Sequence, residues 1–132
     1  MVFGTFDGIH PGHRHFFKQA KSLAADTYLV VSIARDQNVE RIKKRKPKNP
    51  EKARLDAIAQ LPEVDQAVLG GLKDYIPHIQ KANPDIIALG YDQSAYIEHL
   101  SEDLAAVGLS PQIIRLKPYK PHIYKSSLLN KI

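Results

Sequence analysis

Apolar and polar positions follow two rhythms along this chain. Short apolar, β-branched-rich runs recur as MVF (1–3), YLVVSIA (28–34), QAVLG (66–70), DIIALG (85–90) and PQIIRL (111–116). Near-continuous apolar runs of this length are the pattern of strands covered on both faces. Between them the spacing becomes helical. Phe16, Phe17, Ala20, Leu23 and Ala24 share one face in RHFFKQAKSLA, and Ile97, Leu100, Leu104 and Val107 share another. In NPEKARLDAIAQL, Asn49 fits an N-cap, Pro50 the first turn and Glu51 the positive helix end. DYIPHIQKA predicts a further helix, Gly108 is placed to end the one before the fifth strand, and KSSLLNKI predicts a short closing helix.

Strand and helix thus alternate five times. The pattern predicts an α/β protein: a doubly wound, mostly parallel five-stranded sheet with helices on both faces, as a single domain over residues 1–132. Ligands of such sheets bind outside the carboxyl ends of the strands, where the strand order reverses.

Composition narrows the classes. No apolar run approaches the roughly 18 residues of a membrane span, and the apolar start is interrupted too early for a signal peptide. There is no cysteine, which excludes disulfides, thiolate metal ligands and a cysteine nucleophile. A cytoplasmic protein is expected. The net charge is +5, but RIKKRKPK (41–48) alone holds six basic side chains and no acid. The rest of the chain has thirteen basic residues against fourteen acidic ones. This excess is local, unlike the broad basic face of a general nucleic-acid binder.

The candidate chemistry lies in GTFDGIHPGH (4–13), between the first strand and the first helix. A strand, a glycine turn and a helix start form an anion trap, because the first helical N–H groups lack partners and the helix dipole adds partial positive charge. Pro11 suits the first helical turn and Gly12 removes bulk from it. His10 and His13 offer ring N–H donors that would stabilise charge building on a phosphorus centre. A surface or capping role is the plainer reading of each histidine. Zinc binding, with His15 as third ligand, lacks a carboxylate partner at suitable spacing. The motif is neither a Walker A loop nor GxGxxG.

This stretch resembles the signature of the cytidylyltransferase-like, or HxGH, nucleotidyltransferases. The resemblance implies that Thr5, Phe6, His10, Pro11, Gly12 and His13 contact the nucleotide, with His10 and His13 as the catalytic pair at the α-phosphate. KKRKPKNPEKAR resembles the family's basic loop and following helix. Lys46, then Lys44, are candidates for phosphate or substrate contact, with Arg54 beside them or holding the loop; a solvated basic loop is the alternative. Asp92, in LGYDQ, is placed either to bind the ribose or base, or to cap the next helix. Ser126 and Ser127 match a motif that holds the outer phosphates, and capping would use the same N–H groups. Tyr119 is placed to stack on the base or to lie on the surface.

IARD, RKPKNPE, VDQAVLG and PDIIALGYDQ are similar to the archaeal FAD synthase branch of the family. That likeness implies transfer of AMP from ATP to FMN with release of pyrophosphate. It also implies a divalent cation, Mg²⁺, with Asp7 as its nearest ligand, and a homodimer. Glycerol-3-phosphate cytidylyltransferase, or transfer to another small phosphate acceptor, is the alternative within the family. A nucleotide-binding module without turnover is the alternative outside enzymes.

Overall fold

The computed structural model describes residues 1–71, 75–90 and 99–116. In chain order the elements are β1 (Val2–Gly4), α1 (Pro11–Lys21), β2 (Val30–Ile33), α2 (Asp36–Lys43), α3 (Glu51–Ala59) and β3 (Gln66–Leu69). They continue with α4 (Tyr75–Ala82), β4 (Ile86–Leu89), α5 (Leu100–Ala106) and β5 (Gln112–Arg115). The expected closing helix and Ile97 lie outside the described residues.

All strand pairs are parallel. β1 pairs with β2 in the register Val2↔Val31, β2 with β3 as Val31↔Ala67, and β4 with β5 as Ile87↔Ile113. The five strands fall into two ladders, β1-β2-β3 and β4-β5. Met1 joins them: its ammonium donates to the Ile86 carbonyl at 2.8 Å, and the Ala88 N–H donates to the Met1 carbonyl at 3.0 Å. β1 is three residues long, too short for a fuller ladder with β4. The order across the molecule is therefore β3-β2-β1-β4-β5. The chain winds outward from β1 to β3 and then returns past β1, so the reversal falls between β1 and β4.

The two faces are covered by different helices. Val2, Val31 and Ile33 pack with Phe17 and Ala20 of α1 and Ile58 of α3. Phe3, Ile87 and Leu89 pack with Ile79 of α4 and with Leu100 and Leu104 of α5. Each large apolar side chain so buried contributes about 1.5–3 kcal/mol. This is the doubly wound arrangement that the alternation predicts. Ser32 is a buried polar position of β2, and its hydroxyl lies 2.7 Å from His78 Nε2 on α4, which satisfies it. Among the described residues no helix is long and apolar enough to cross a membrane.

Gly108 ends α5 as expected. It takes φ +81°, and the bonds Gly108 N–H to Ala105 O and Leu109 N–H to Leu104 O close a Schellman motif. Two local expectations are corrected. α2 occupies residues that the sequence pattern leaves without a helix, and it takes in the first three residues of the basic run. Asn49 does not cap α3: Pro50 holds the cap position without a side-chain bond, and Asn49 is bonded to Asp7 instead.

Candidate active site

The opening motif leaves the carboxyl end of β1, beside the reversal of strand order. Its shape begins with Gly4. A Cβ there would lie 2.5 Å from Cζ of Phe6, so only glycine lets the Phe6 ring fold back under the strand. Phe6 itself takes φ +53°, a left-handed conformation that is costly for a bulky residue and is held by its burial among Phe17 and its neighbours. Its ring meets His13 edge-on at 5.3 Å. The Phe6 side chain thus supports the site from within the core. Gly8 then takes φ +101°, which turns the chain into the helix.

Helix α1 starts with Pro11 in its first turn and His10 as N-cap. Serine or aspartate usually fills that role. Here Nδ1 of His10 accepts the Gly12 N–H at 3.1 Å, and Nδ1 of His13 accepts the His10 N–H at 3.4 Å. The two rings close a reciprocal capping box. An imidazole nitrogen that accepts carries no proton, so in both neutral rings the proton sits on Nε2. The rings stack with centroids 3.6 Å apart and planes 27° from parallel.

Electrostatics keep the pair neutral. Burial pushes the His13 pKa down to about 3; His10 adds to the fall, the Gly8 carbonyl opposes it and the Lys43 ammonium adds a little. Burial also lowers the pKa of His10. The site therefore holds two uncharged rings at the positive end of a helix, with the His13 ring also bonded to the Gly8 carbonyl. Such an arrangement binds an anion and holds donors where charge develops on it.

Arg54 of α3 lies under this loop, buried to 2% exposure. Its guanidinium donates to the carbonyls of Asn49 (3.0 Å), Thr5 and Ala34 (both 2.8 Å), and to Asp36 Oδ1 at 2.6 Å. It is thus a clamp across the carboxyl ends of β1 and β2, the loop-holding role that the sequence offered as one reading. Thr5 is half-buried, with its carbonyl committed to Arg54. Asp7, the expected metal ligand, accepts the N–H groups of Lys48 (2.6 Å) and Asn49 (2.9 Å) and the Asn49 side-chain amide (2.9 Å). Both of its oxygens are spent on protein donors. Among the described residues no cluster of three histidine, aspartate or glutamate side chains could hold a metal ion. The described residues do not by themselves supply the ligand set of a resident metal.

Lys44 and Lys46 are exposed on the loop after α2, with Lys44 in a left-handed turn at φ +60°. Lys43, last residue of α2, is a cation that the sequence reading passed over; its charge reaches His13. The signal was present in RIKK, but the loop reading favoured the later lysines. Asp92, Tyr119, Ser126 and Ser127 lie outside the described residues. A cavity of about 260 Å³ opens at the opposite ends of the strands, lined mainly by apolar residues such as Val2, Leu29 and Ile86. It holds none of this chemistry.

A family model described as cytidylyltransferase-like matches residues 1–130. The FAD synthase of Ferroglobus placidus is 45% identical over 117 residues, covering 89% of this chain and 74% of that protein. The FAD synthase of Korarchaeum cryptofilum is 49% identical over 117 residues, covering 88% and 79%. Among solved structures, the lipopolysaccharide core biosynthesis protein from Thermoplasma volcanium matches with a TM-score of 0.83 at 37% identity, over 91% of this chain and 96% of that one. The signature histidines, the strand order and these matches agree: this chain belongs to the cytidylyltransferase-like family.

Proposed function

We propose that this chain is an FAD synthase, a nucleotidyltransferase that moves AMP from ATP to the phosphate of FMN, with residues 1–132 acting as one domain. Relatives at 43–49% identity carry that name. The observation that carries the mechanism is the stacked imidazole pair whose Nδ1 atoms are tied to backbone N–H groups, which confines the proton of each neutral ring to Nε2.

An FMN phosphate oxygen attacks the α-phosphorus of ATP in line, a new P–O bond forms, and the bond to the bridging oxygen of pyrophosphate breaks. The attacking phosphate is already anionic at neutral pH, so alignment and charge stabilisation replace a strong general base. His10 and His13 donate to the non-bridging oxygens of the α-phosphate while the amino end of α1 adds its dipole. Lys43, Lys44 and Lys46 neutralise the departing pyrophosphate or the acceptor phosphate. Asp92 and Tyr119 are assigned to the ribose and base, and Ser126 and Ser127 to the outer phosphates. A divalent cation enters with the triphosphate as part of the substrate.

The test supplies FMN and ATP with Mg²⁺ in one reaction, and glycerol 3-phosphate and CTP in another, with products separated by chromatography. FAD in the first and nothing in the second is expected; a cytidylyl product without FAD would overturn the assignment. His10→Ala and His13→Ala should each lower turnover by about 100-fold or more. Near-wild-type turnover in either would remove that ring from the mechanism.

A further inference from the structure

Asp7 stands in the middle of the phosphate-binding motif, yet its hydrogen bonds run to the far end of the basic loop. Oδ2 accepts the Lys48 N–H at 2.6 Å, and Oδ1 accepts both N–H groups of Asn49 at 2.9 Å. The other end of the loop begins at Lys43, the last residue of α2, whose positive charge bears on His13. Lys44 then leaves the helix in a left-handed turn. Residues 44–48 therefore form a short span whose carboxyl end is tied to the segment that carries the imidazoles. Arg54 fastens the same junction from beneath, through the carbonyls of Asn49 and Thr5.

Asp7 itself is held ionised. Burial raises its pKa, but the bonds from Lys48 and Asn49 and the charge of Arg54 outweigh this and leave it below the usual carboxylate range. A charged acceptor makes stronger bonds to backbone N–H groups than a neutral one. A tether at this point has a clear use. Lysine side chains on an unanchored loop lose conformational freedom when they close on a phosphate, and anchoring the backbone beforehand reduces that cost.

We propose that Asp7 is a positioning residue that pins the carboxyl end of the basic loop to the histidine motif, holding Lys44 and Lys46 over the nucleotide's phosphates. The proposal rests on the reading of this site as a nucleotidyltransferase centre. It gives Asp7 a task in substrate capture that is separate from metal binding.

The experiment compares the full chain with Asp7→Ala, Asn49→Ala and the double variant, in steady-state kinetics at varied ATP and in brief trypsin digestion without substrate. Asp7→Ala should raise KM for ATP about tenfold while kcat changes less than about threefold, as loss of pre-organisation requires. Tryptic cleavage within 41–48 should become several-fold faster. The double variant should be no worse than Asp7→Ala alone, because both substitutions release the same loop. The Mg²⁺ concentration for half-maximal rate should not move. Effects that multiply in the double variant, a collapse of kcat with unchanged cleavage, or a large rise in Mg²⁺ requirement would each overturn the proposal. If Asp7→Ala does not fold, Asp7→Asn keeps the acceptor for Asn49 and loses the one for Lys48, and its KM and cleavage rate should fall between wild type and full loss. If the wild-type protein makes no FAD, the proposed function fails, while the digestion still decides whether Asp7 holds the loop.

Discussion

Replacing His13 by asparagine is expected to flatten the acid side of the protein's stability profile. In the unfolded chain a histidine titrates near 6.5, and in the folded protein burial and its neighbours push His13 down to about 3. A depressed folded-state pKa means that protons prefer the unfolded state. This contribution to stability is intact above pH 6.5 and is lost as the pH falls toward 3. Each pH unit between those limits is worth about 1.36 kcal/mol, so wild type should lose roughly 2 kcal/mol from this ring between pH 7 and pH 5. Asparagine keeps an acceptor for the His10 N–H but cannot take the proton. Folding free energies of both proteins would be measured by urea titration at pH 7, 6 and 5, followed by far-ultraviolet circular dichroism because the chain has no tryptophan. His10 and His78 also have lowered pKa values, and their effects are common to both proteins. Carboxylates such as Asp36 and Glu63, lowered from 3.8 and 4.5, come into play at more acidic pH. The gap between variant and wild type should therefore shift by about 2 kcal/mol in favour of the variant as pH falls from 7 to 5. Parallel profiles would refute the reasoning, as would an NMR titration of His13 centred near 6.5.

Two substitutions test how the site is built. Arg54→Met strips donors from three carbonyls and leaves the Asp36 carboxylate without its ion-pair partner, at a cost of about 3–5 kcal/mol in urea unfolding. Lysine should not restore it, since one ammonium cannot span four acceptors, and a loss below about 1 kcal/mol would deny the clamp. Gly4→Ala places a methyl 2.5 Å from the Phe6 ring, which should cost about 1–3 kcal/mol and lower turnover through displacement of His13. Wild-type stability and turnover in that variant would show that the ring is free to move aside.

The parts of this fold that were legible in the sequence are those whose signal is periodic or local. Strand runs such as YLVVSIA show because β2 is covered on both faces, and Gly108 shows because a left-handed helix end needs glycine. Helix α2 did not show: in its eight residues Val39 is the single buried side chain, while Ile42 is 68% exposed, so charge hides the period. Arg54 read either as a phosphate contact or as holding the loop, and its partners stayed hidden because they lie at positions 5, 34, 36 and 49, brought together only by the crossing of strands. Asn49 read as a cap because local rules favour asparagine before a helix, but a carboxylate 42 residues away takes its donors. The histidine pair was legible as the chemistry-bearing feature of the first helix start, where the structure stacks the two rings. That each ring spends one nitrogen on the helix start was not, because this depends on the torsions of His10.

That division of labour constrains the chemistry. At His10 and His13 one nitrogen of each ring is bonded into the start of α1, so the proton that the proposed mechanism needs and the helix start share one ring. An imidazolium would be the stronger donor to phosphate. It could form here only by protonating Nδ1, which would turn an acceptor into a second donor and set it against a backbone N–H. Acid would then unmake the first turn of α1 before it improved the donors. The low pKa of His13 expresses the same conflict in electrostatic terms, since two charged rings 3.6 Å apart would repel inside a poorly hydrated loop. A neutral pair is the arrangement in which helix start and ring stacking are satisfied together, and in the proposed mechanism it is the form that meets the phosphate.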